Sequence, residues 1–395
     1  MALMAVAEAK ARILAGVEPL PGESVSIYLA SGRVLAEALK ANLTQPPFDA
    51  SAMDGYAVRA ADVATLPVSL KVAGASAAGH GFAGQMGPME AVRIFTGAPL
   101  PQGADTVVIQ EDTKPEPPDA VTILAAAAGR HMRRRGLDFA EGHTALEAGS
   151  KLTGRDLMLA AAMNHPTVFV RRKPVIALLA NGDELVAPGQ TPKESQIVSS
   201  IPAGLKAAVE AWGGEALVLD IAKDARESIA AQVDAAPGAD VLVTIGGASV
   251  GEHDLVRGAL EAKGARFEVL KAAMRPGKPV MFGHLGAQKV LNLPGNPASA
   301  TICARIFLKP LIAALLGLPT DEPLYEFPLF GAIEANGERE HYMRAIASGG
   351  TVAPLPDQDS SLISALARSN CLLVRPVNGP SLPAGTPVPV IFLDF

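Results

Sequence analysis

Three glycine-rich loops carry the residues of this chain that could do chemistry, all within residues 241–297. The first reads Gly246-Gly247-Ala248-Ser249-Val250-Gly251-Glu252-His253-Asp254. The second is Arg275-Pro276-Gly277-Lys278-Pro279, and the third is Pro294-Gly295-Asn296-Pro297. Gly246, Gly247 and Gly251 let backbone approach a ligand closely or take positive φ. Ser249 adds a hydroxyl. Asp254 adds a carboxylate able to hold Mg²⁺ directly or through water. Lys278 supplies a compact cation and Arg275 a forked one. Acid, base and bare peptide N–H groups together suit a phosphorylated ligand with its metal. The plainer alternative is that the glycines make tight turns and Asp254 caps a helix. Three such loops in one short span favour a site.

The loops require strands and helices to position them. Residues 241–245, 267–270 and 289–293 are apolar, β-branched runs, as buried strands are. Residues 254–263 and 297–316 have the pattern of helices. From Pro174 onward strands and helices alternate: 175–179, 202–212, 217–219, 224–236, 241–245. That alternation predicts βαβ units and a parallel sheet with ligands at the carboxyl ends of its strands. Asn181-Gly182-Asp183-Glu184-Leu185 follows the 175–179 strand, so Glu184 belongs on that edge, as a cap or as a functional carboxylate.

Upstream, residues 4–17 and 23–41 read as helices, the second from Val25, Leu29, Val34, Leu35 and Leu39 at roughly helical spacing. Residues 45–110 are rich in Gly and Pro with short apolar runs, which predicts a small β domain. Residues 114–119, with three prolines, read as a loop. Thr153 and Asp156 are spaced as a capping box. The arginine run at 133–135 reads as a solvated face. After Thr320 the pattern becomes β again (324–333, 342–347, 372–377, 388–393), as in a small barrel-like domain.

Composition excludes several classes. At 395 residues the chain is too long for one small core. A net charge of −6 argues against a general nucleic-acid binder. Cys303 and Cys371 form neither a disulfide framework nor a metal motif, so both are expected reduced in apolar surroundings, as in a cytoplasmic protein. Charged residues interrupt residues 1–17, and Arg305, Lys309 and Pro310 interrupt 301–318. The first is therefore read as an amphipathic helix and the second as a core helix, neither as a membrane span. No zinc spacing, Gly-x-Ser-x-Gly elbow or Walker A lysine loop occurs.

Ser51-Ala52-Met53-Asp54-Gly55-Tyr56-Ala57-Val58, Thr96-Gly97-Ala98-Pro99, residues 133–138, Gly182-Asp183-Glu184-Leu185, Gly246–Glu252, Pro276-Gly277-Lys278-Pro279, Leu293–Pro297 and residues 358–367 run in one order along nearly the whole chain. Together they resemble the molybdopterin molybdenumtransferase family, the MoeA or gephyrin E-domain type. The resemblance implies a multidomain α/β plus β fold with four parts. Residues 1–43 with 133–170 form a discontinuous N-terminal domain, and 44–132 an inserted β domain. Residues 171–318 form the α/β molybdopterin-binding domain, and 319–395 a C-terminal β domain. It also implies an elongated homodimer that inserts molybdate into adenylylated molybdopterin with Mg²⁺ and releases AMP, other cofactor-biosynthesis proteins being further partners. Asp54, Thr96, Asp138, Glu184, Asp254 and Lys278 match positions of the family's catalytic site. Glu184 and Asp254 match its metal ligands. Gly246, Gly247, Ser249, Gly251, Arg275, Pro294, Gly295 and Asn296 match its ligand-binding loops. Three positions depart from the family pattern. Arg275 stands where Lys is usual, Ala180 where Ser or Thr is frequent, and Ser199-Ser200-Ile201 replaces an Asp/Asn-Ser/Thr-Asn run. The last change removes a polar contact and leaves a non-catalytic scaffold as the alternative. An adenylyltransferase would need only the α/β part.

Overall fold

The computed structural model describes residues 3–247 and 255–395. These form two compact units. One comprises Met1–Glu23, Gly32–Ala36 and Val170–Phe395, the other Ser24–Ser31 and Glu37–Phe169.

The larger unit is built on a six-stranded sheet. Its strands are β1 (Val175–Ala180), β2 (Glu215–Val218), β3 (Val241–Ile245), β4 (Arg266–Val269), β5 (Met281–Leu285) and β6 (Gln288–Leu293), in the order β2-β1-β3-β6-β5-β4. β2, β1, β3 and β6 are parallel, and β5 runs against both β6 and β4. Helices cover both faces, because successive residues of a strand point to opposite sides. Ile176 and Leu178 of β1 join a cluster with Leu205, Val209 and the long helix near the chain's end. Ala177 and Leu179 join the opposite cluster with Ile229, Val233, Val256 and Leu260. The expected alternation and parallel sheet are present.

The helical run Pro297–Leu316 is long and apolar enough to cross a membrane, yet 78% of it is buried inside the fold. Each fully buried Leu or Ile there contributes roughly 1.5–3 kcal/mol relative to exposure. Its middle turn, Ala304–Leu308, widens to a π-helix just before Lys309-Pro310. A proline inside a helix has no N–H and crowds the carbonyl four residues back, and a wide turn relieves both problems. Gly317, in the left-handed region at φ 72°, ends the run. Buried Arg305 meets Glu322 at 2.5 Å and Asp394 at 3.2 Å, which pairs the one charge that the helix carries into the core.

A second sheet in this unit runs Met274–Arg275, Glu340–Ser348, Cys371–Arg375, Pro387–Phe392, Tyr325–Pro328, with Thr351–Pro354 beside Glu340–Ser348. Its core is Leu329, Ala345, Val352, Leu373 and Val390. Both cysteines are free and buried, as expected.

The smaller unit holds a six-stranded sheet in the order Thr106–Ile109, Gly55–Val58, Glu90–Ile94, Val68–Ser76, Ala120–Ile123, Thr113–Glu116. Tyr56 and Val58 face one cluster, Ala57 the other. A Cβ on Gly55 would overlap the Val108 carbonyl of the neighbouring strand, so only glycine pairs there. Thr153 donates its amide and its hydroxyl to the Asp156 carboxylate at 2.7 Å each, opening the helix Gly154–Ala162 as the spacing predicted.

Two local expectations are corrected. Residues 23–41 do not form a helix. The chain is extended over Gly22–Ser26, makes a 3₁₀ turn at Ile27–Leu29 and is extended again at Leu39–Lys40. β-branched Val25 and Ile27, then Ser31-Gly32, weigh against a helix, and Val34 and Leu35 are buried without one. Residues 114–119 are not simply a loop. Thr113–Glu116 is a strand containing Pro115, which its place at the sheet's edge tolerates.

Candidate functional site

The carboxyl ends of β1, β3 and β6 open on a cavity of about 760 Å³. Two of the three glycine loops reach it. Gly246 and Gly247 have φ of 100° and 63°. A Cβ on Gly247 would overlap Val256, and one on Gly246 would lie 3.0 Å from the Asn181 carbonyl, so both positions need glycine. Two bonds from the buried Asn292 anchor this turn. Its Nδ2 donates to Thr244 Oγ1 at 2.8 Å and to the Gly246 carbonyl at 3.1 Å. Gly295 and Asn296 line the same cavity. Pro294 is buried beside them. Asn296 precedes the helix at Pro297 but does not cap it with its side chain. Its Nδ2 donates instead to Ser360 Oγ at 2.9 Å, while the Ala298 amide donates to the Ser360 carbonyl at 3.0 Å. Those bonds bring Ser361 and Ile363, from the matching run at 358–367, to the cavity wall.

Glu184 lies on the wall contributed by the segment after β1. Its side chain is exposed and folds back over Gly182, whose Cβ, if present, would sit 2.7 Å from the Glu184 carboxyl carbon. The segment is held by a short parallel pair, Leu185–Val186 with Ile197–Val198, and by the Ile197 amide donating to the Glu184 carbonyl at 2.7 Å. Asp224, unmarked in the sequence, is a second carboxylate on this wall. Asn181 Nδ2 donates to its Oδ1 at 3.2 Å. Ser199, Ser200 and Ile201, the departure from the family pattern, line the cavity too, so the apolar replacement falls on the wall itself. On the other side of the Gly182–Leu185 segment lies a further cavity of about 720 Å³, with Asp183, Asp220 and Lys206 in its lining. Ser249, Gly251 and Asp254 lie outside the described residues.

The second glycine loop is placed elsewhere. Met274–Arg275 pairs in parallel with Glu340–His341 of the C-terminal sheet. Arg275 therefore lines a separate cavity of about 500 Å³ with His341, Arg375, Asn336 and Gln358. Lys278 is exposed and lines neither cavity. Gly277, at φ 106°, seats the loop on the core helix. Buried Arg344 donates to the Asp359 carbonyl at 2.9 Å, and Gln358 clamps it, accepting from the Arg344 amide at 3.0 Å and donating to its carbonyl at 2.9 Å.

Burial, followed by the charges of Arg275, Arg339, Arg344 and Arg375, pushes His341 down to about 4. The ring is neutral near pH 7. An unfolded histidine titrates near 6.5, so between that pH and 4 the unfolded chain binds a proton that the folded chain does not. Stability from this group is full above pH 6.5 and is lost as pH falls towards 4. Thermal unfolding of His341→Gln should show a shallower fall of Tm across that window than the parent. Equal slopes would remove His341 as a source of acid sensitivity.

In the smaller unit, Asp54 and Thr96 are brought together. Asp54 Oδ1 accepts from the Thr96 amide at 2.7 Å and from its hydroxyl at 2.9 Å. Those bonds, the amide's first, hold the Asp54 carboxyl below its ordinary range. Asp54 thus pins the Thr96-Gly97 turn through both bonds. Arg134 is paired with Asp49 at 2.7 Å, and the Arg135 amide donates to the same carboxylate at 2.8 Å, so part of the arginine run is structural. Asp138 follows it, exposed, with its amide donating to Gln45.

The sequence reading missed Asp224 and Asn292, and it marked Ser360 only as part of the 358–367 run. An Asn in the otherwise apolar β6 run was a legible signal for Asn292. Asp224 carries none without the fold.

Comparison with known proteins agrees with this architecture. Residues 4–164 match the model of the MoeA N-terminal region (domain I and II), 177–314 that of a "Probable molybdopterin binding domain", and 328–393 that of the MoeA C-terminal region (domain IV). The chain is 34% identical over 394 residues to a molybdopterin molybdenumtransferase of Nostoc sp., covering 94% of this chain and 89% of the relative. It is 33% identical to that of Haemophilus influenzae, covering 94% of each. The crystal structure of a molybdopterin biosynthesis MoeA protein from Pyrococcus horikosii superposes with a TM-score of 0.88 at 29% identity, over 99% of each chain. With three matched regions in family order, and relatives above 30% identity along nearly its whole length, the chain belongs to the molybdopterin molybdenumtransferase (MoeA) family.

Proposed function

We propose that this protein inserts molybdate into adenylylated molybdopterin with Mg²⁺ and releases AMP, acting as a homodimer in molybdenum cofactor biosynthesis. The observation that carries the reading is the cavity at the carboxyl edge of the parallel sheet. Bare glycine backbone at Gly246-Gly247 and the carboxylates of Glu184 and Asp224 line one space there. Turns of that kind present N–H groups to phosphate oxygens. The space on both sides of the Gly182–Leu185 segment suits a ligand with a heterocycle at each end of its phosphates.

The donor set fits Mg²⁺. That ion is usually held by one or two carboxylates together with substrate phosphates and water. Glu184 and Asp224 meet this demand, and among the described residues no three metal-binding groups form a closed cage. When bound, the ion would offset negative charge on the phosphates. Glu184 and Asp224 would orient the ligand's phosphate end. The Gly246 amide is taken by the Leu293 carbonyl at 3.0 Å, so the bare backbone of Gly247 is the part of this turn that would meet its oxygens. Asp254, Ser249 and Gly251 are proposed to complete this part of the site. Arg275, with Arg375 and neutral His341, offers forked donors to a tetrahedral oxyanion, so molybdate is assigned to that cavity with Lys278 on the same loop. Asp54, Thr96 and Asp138 are proposed as further site residues. The four-part domain division remains part of this reading.

The test is to incubate the protein with adenylylated molybdopterin, Mg²⁺ and molybdate and to follow AMP. AMP should appear only when molybdate is present. A folded protein that releases none would overturn the proposal and favour a non-catalytic scaffold.

A further inference from the structure

The structure assigns to Asn181 a positioning role: its side-chain amide holds the Asp224 carboxylate in the orientation that receives a divalent cation in the cavity at the sheet edge. The inference rests on the functional reading above and extends it to a residue that reading does not use.

Asn181 is only 4% exposed and lies directly after β1. A carboxylate accepts and does not donate, so the contact with Asp224 Oδ1 at 3.2 Å decides which end of the amide faces it. Nδ2 points at Asp224, and Oδ1 is turned the other way. There Oδ1 finds no donor among the described residues, although it is buried. A buried acceptor without a partner costs free energy. The fold bears that cost to keep a donor on Asp224. An apolar side chain of the same shape would avoid it, so stability alone does not account for the amide.

The surroundings allow little slack. Cβ atoms built on Gly246 and Gly247 would lie 3.5 Å from Asn181 Oδ1 and 3.1 Å from its Nδ2. The amide is thus wedged between the glycine turn and Asp224. The Asp224 amide also points to Asp183 Oδ1 at 3.4 Å, a weak tether, so among the described residues the Asn181 bond is the main constraint on the carboxylate. With Oδ1 held by Asn181, Oδ2 is the atom that would reach the cation. Carboxylates that bind metals are themselves oriented by such hydrogen bonds, and losing one commonly costs ten- to a hundredfold in metal affinity.

The experiment uses Mn²⁺ as a paramagnetic probe of the Mg²⁺ position, measured by electron paramagnetic resonance on the full chain with AMP present. AMP affinity without metal and thermal unfolding are measured in parallel. Asn181→Leu, near in shape, removes the donor and the orphaned acceptor together. It should lower Mn²⁺ affinity at least tenfold, leave metal-free AMP binding within twofold and keep Tm at or above the parent value. Asn181→Thr keeps a hydroxyl donor and should stay within threefold of the parent for Mn²⁺. Unchanged Mn²⁺ affinity in Asn181→Leu overturns the inference. So does an equal loss in Asn181→Thr, which also decides the matter if the leucine variant fails to fold. A parent protein that binds AMP but no Mn²⁺ overturns the inference alone. One that binds neither removes the functional reading as well.

Discussion

Glu184→Gln should cut AMP release by roughly 10²–10³-fold while the protein stays folded, the range expected when one preorganised charge contact is lost at a reacting phosphate. The two side chains have the same shape, and Glu184 is exposed at the cavity wall, so no packing is lost. The parallel pair that carries the segment uses backbone bonds only, which the substitution leaves in place. The amide keeps one acceptor but not the charge that, on the proposed function, would hold a divalent cation against phosphate oxygens. Raising Mg²⁺ should recover part of the rate if the loss is in metal binding. The measurement is AMP release against Mg²⁺ concentration, with circular dichroism to confirm the fold. A well-folded variant working at the parent rate would reduce Glu184 to a cover over Gly182.

Gly277→Ala should destabilise the protein by roughly 2–6 kcal/mol, combining the penalties for positive φ and for overpacking. Gly277 has φ 106°, and an added methyl would overlap the Cys303 sulfur and approach Met274 to 3.3 Å. Neither sulfur can move freely. Cys303 is fully buried in the core helix, 3.8 Å from Met274 Sδ. Burial pushes the Cys303 thiol well above the usual range, so it packs as a neutral group. The double variant Gly277→Ala with Cys303→Ala should lose less than the sum of the single losses, because the second change clears the overlap with the Cys303 sulfur and leaves the backbone term with the milder contact on Met274. Denaturant unfolding of the four proteins measures the coupling. Strict additivity would show that the methyl and the thiol do not meet.

Much of this protein was legible in its sequence, and the rest was not, for one physical reason. Periodicity and turn chemistry are local. The apolar runs at 175–179 and 241–245, the helices between them and the Thr153–Asp156 box each depend on residues within a few positions. They appear where the pattern placed them. Glycines with no room for a Cβ, such as Gly246 and Gly247, were also readable by type, since no other residue would serve. The family order of the motifs came from the sequence as well. Convergence across the chain did not. The Asn181–Asp224 bond joins residues 43 apart, and Asn296–Ser360 joins residues 64 apart. Sheet order decides such pairs, and spacing does not encode it. Sheet pairing also drew Arg275 to the C-terminal cavity and away from the two glycine loops beside it in sequence. Residues 23–41 show the converse. Their spacing fitted a helix, yet burial of Val34 and Leu35 in extended chain outweighed a weak local preference. Tertiary packing decides wherever local propensity is worth only tenths of a kcal/mol per residue and burial is worth about 2 kcal/mol per side chain.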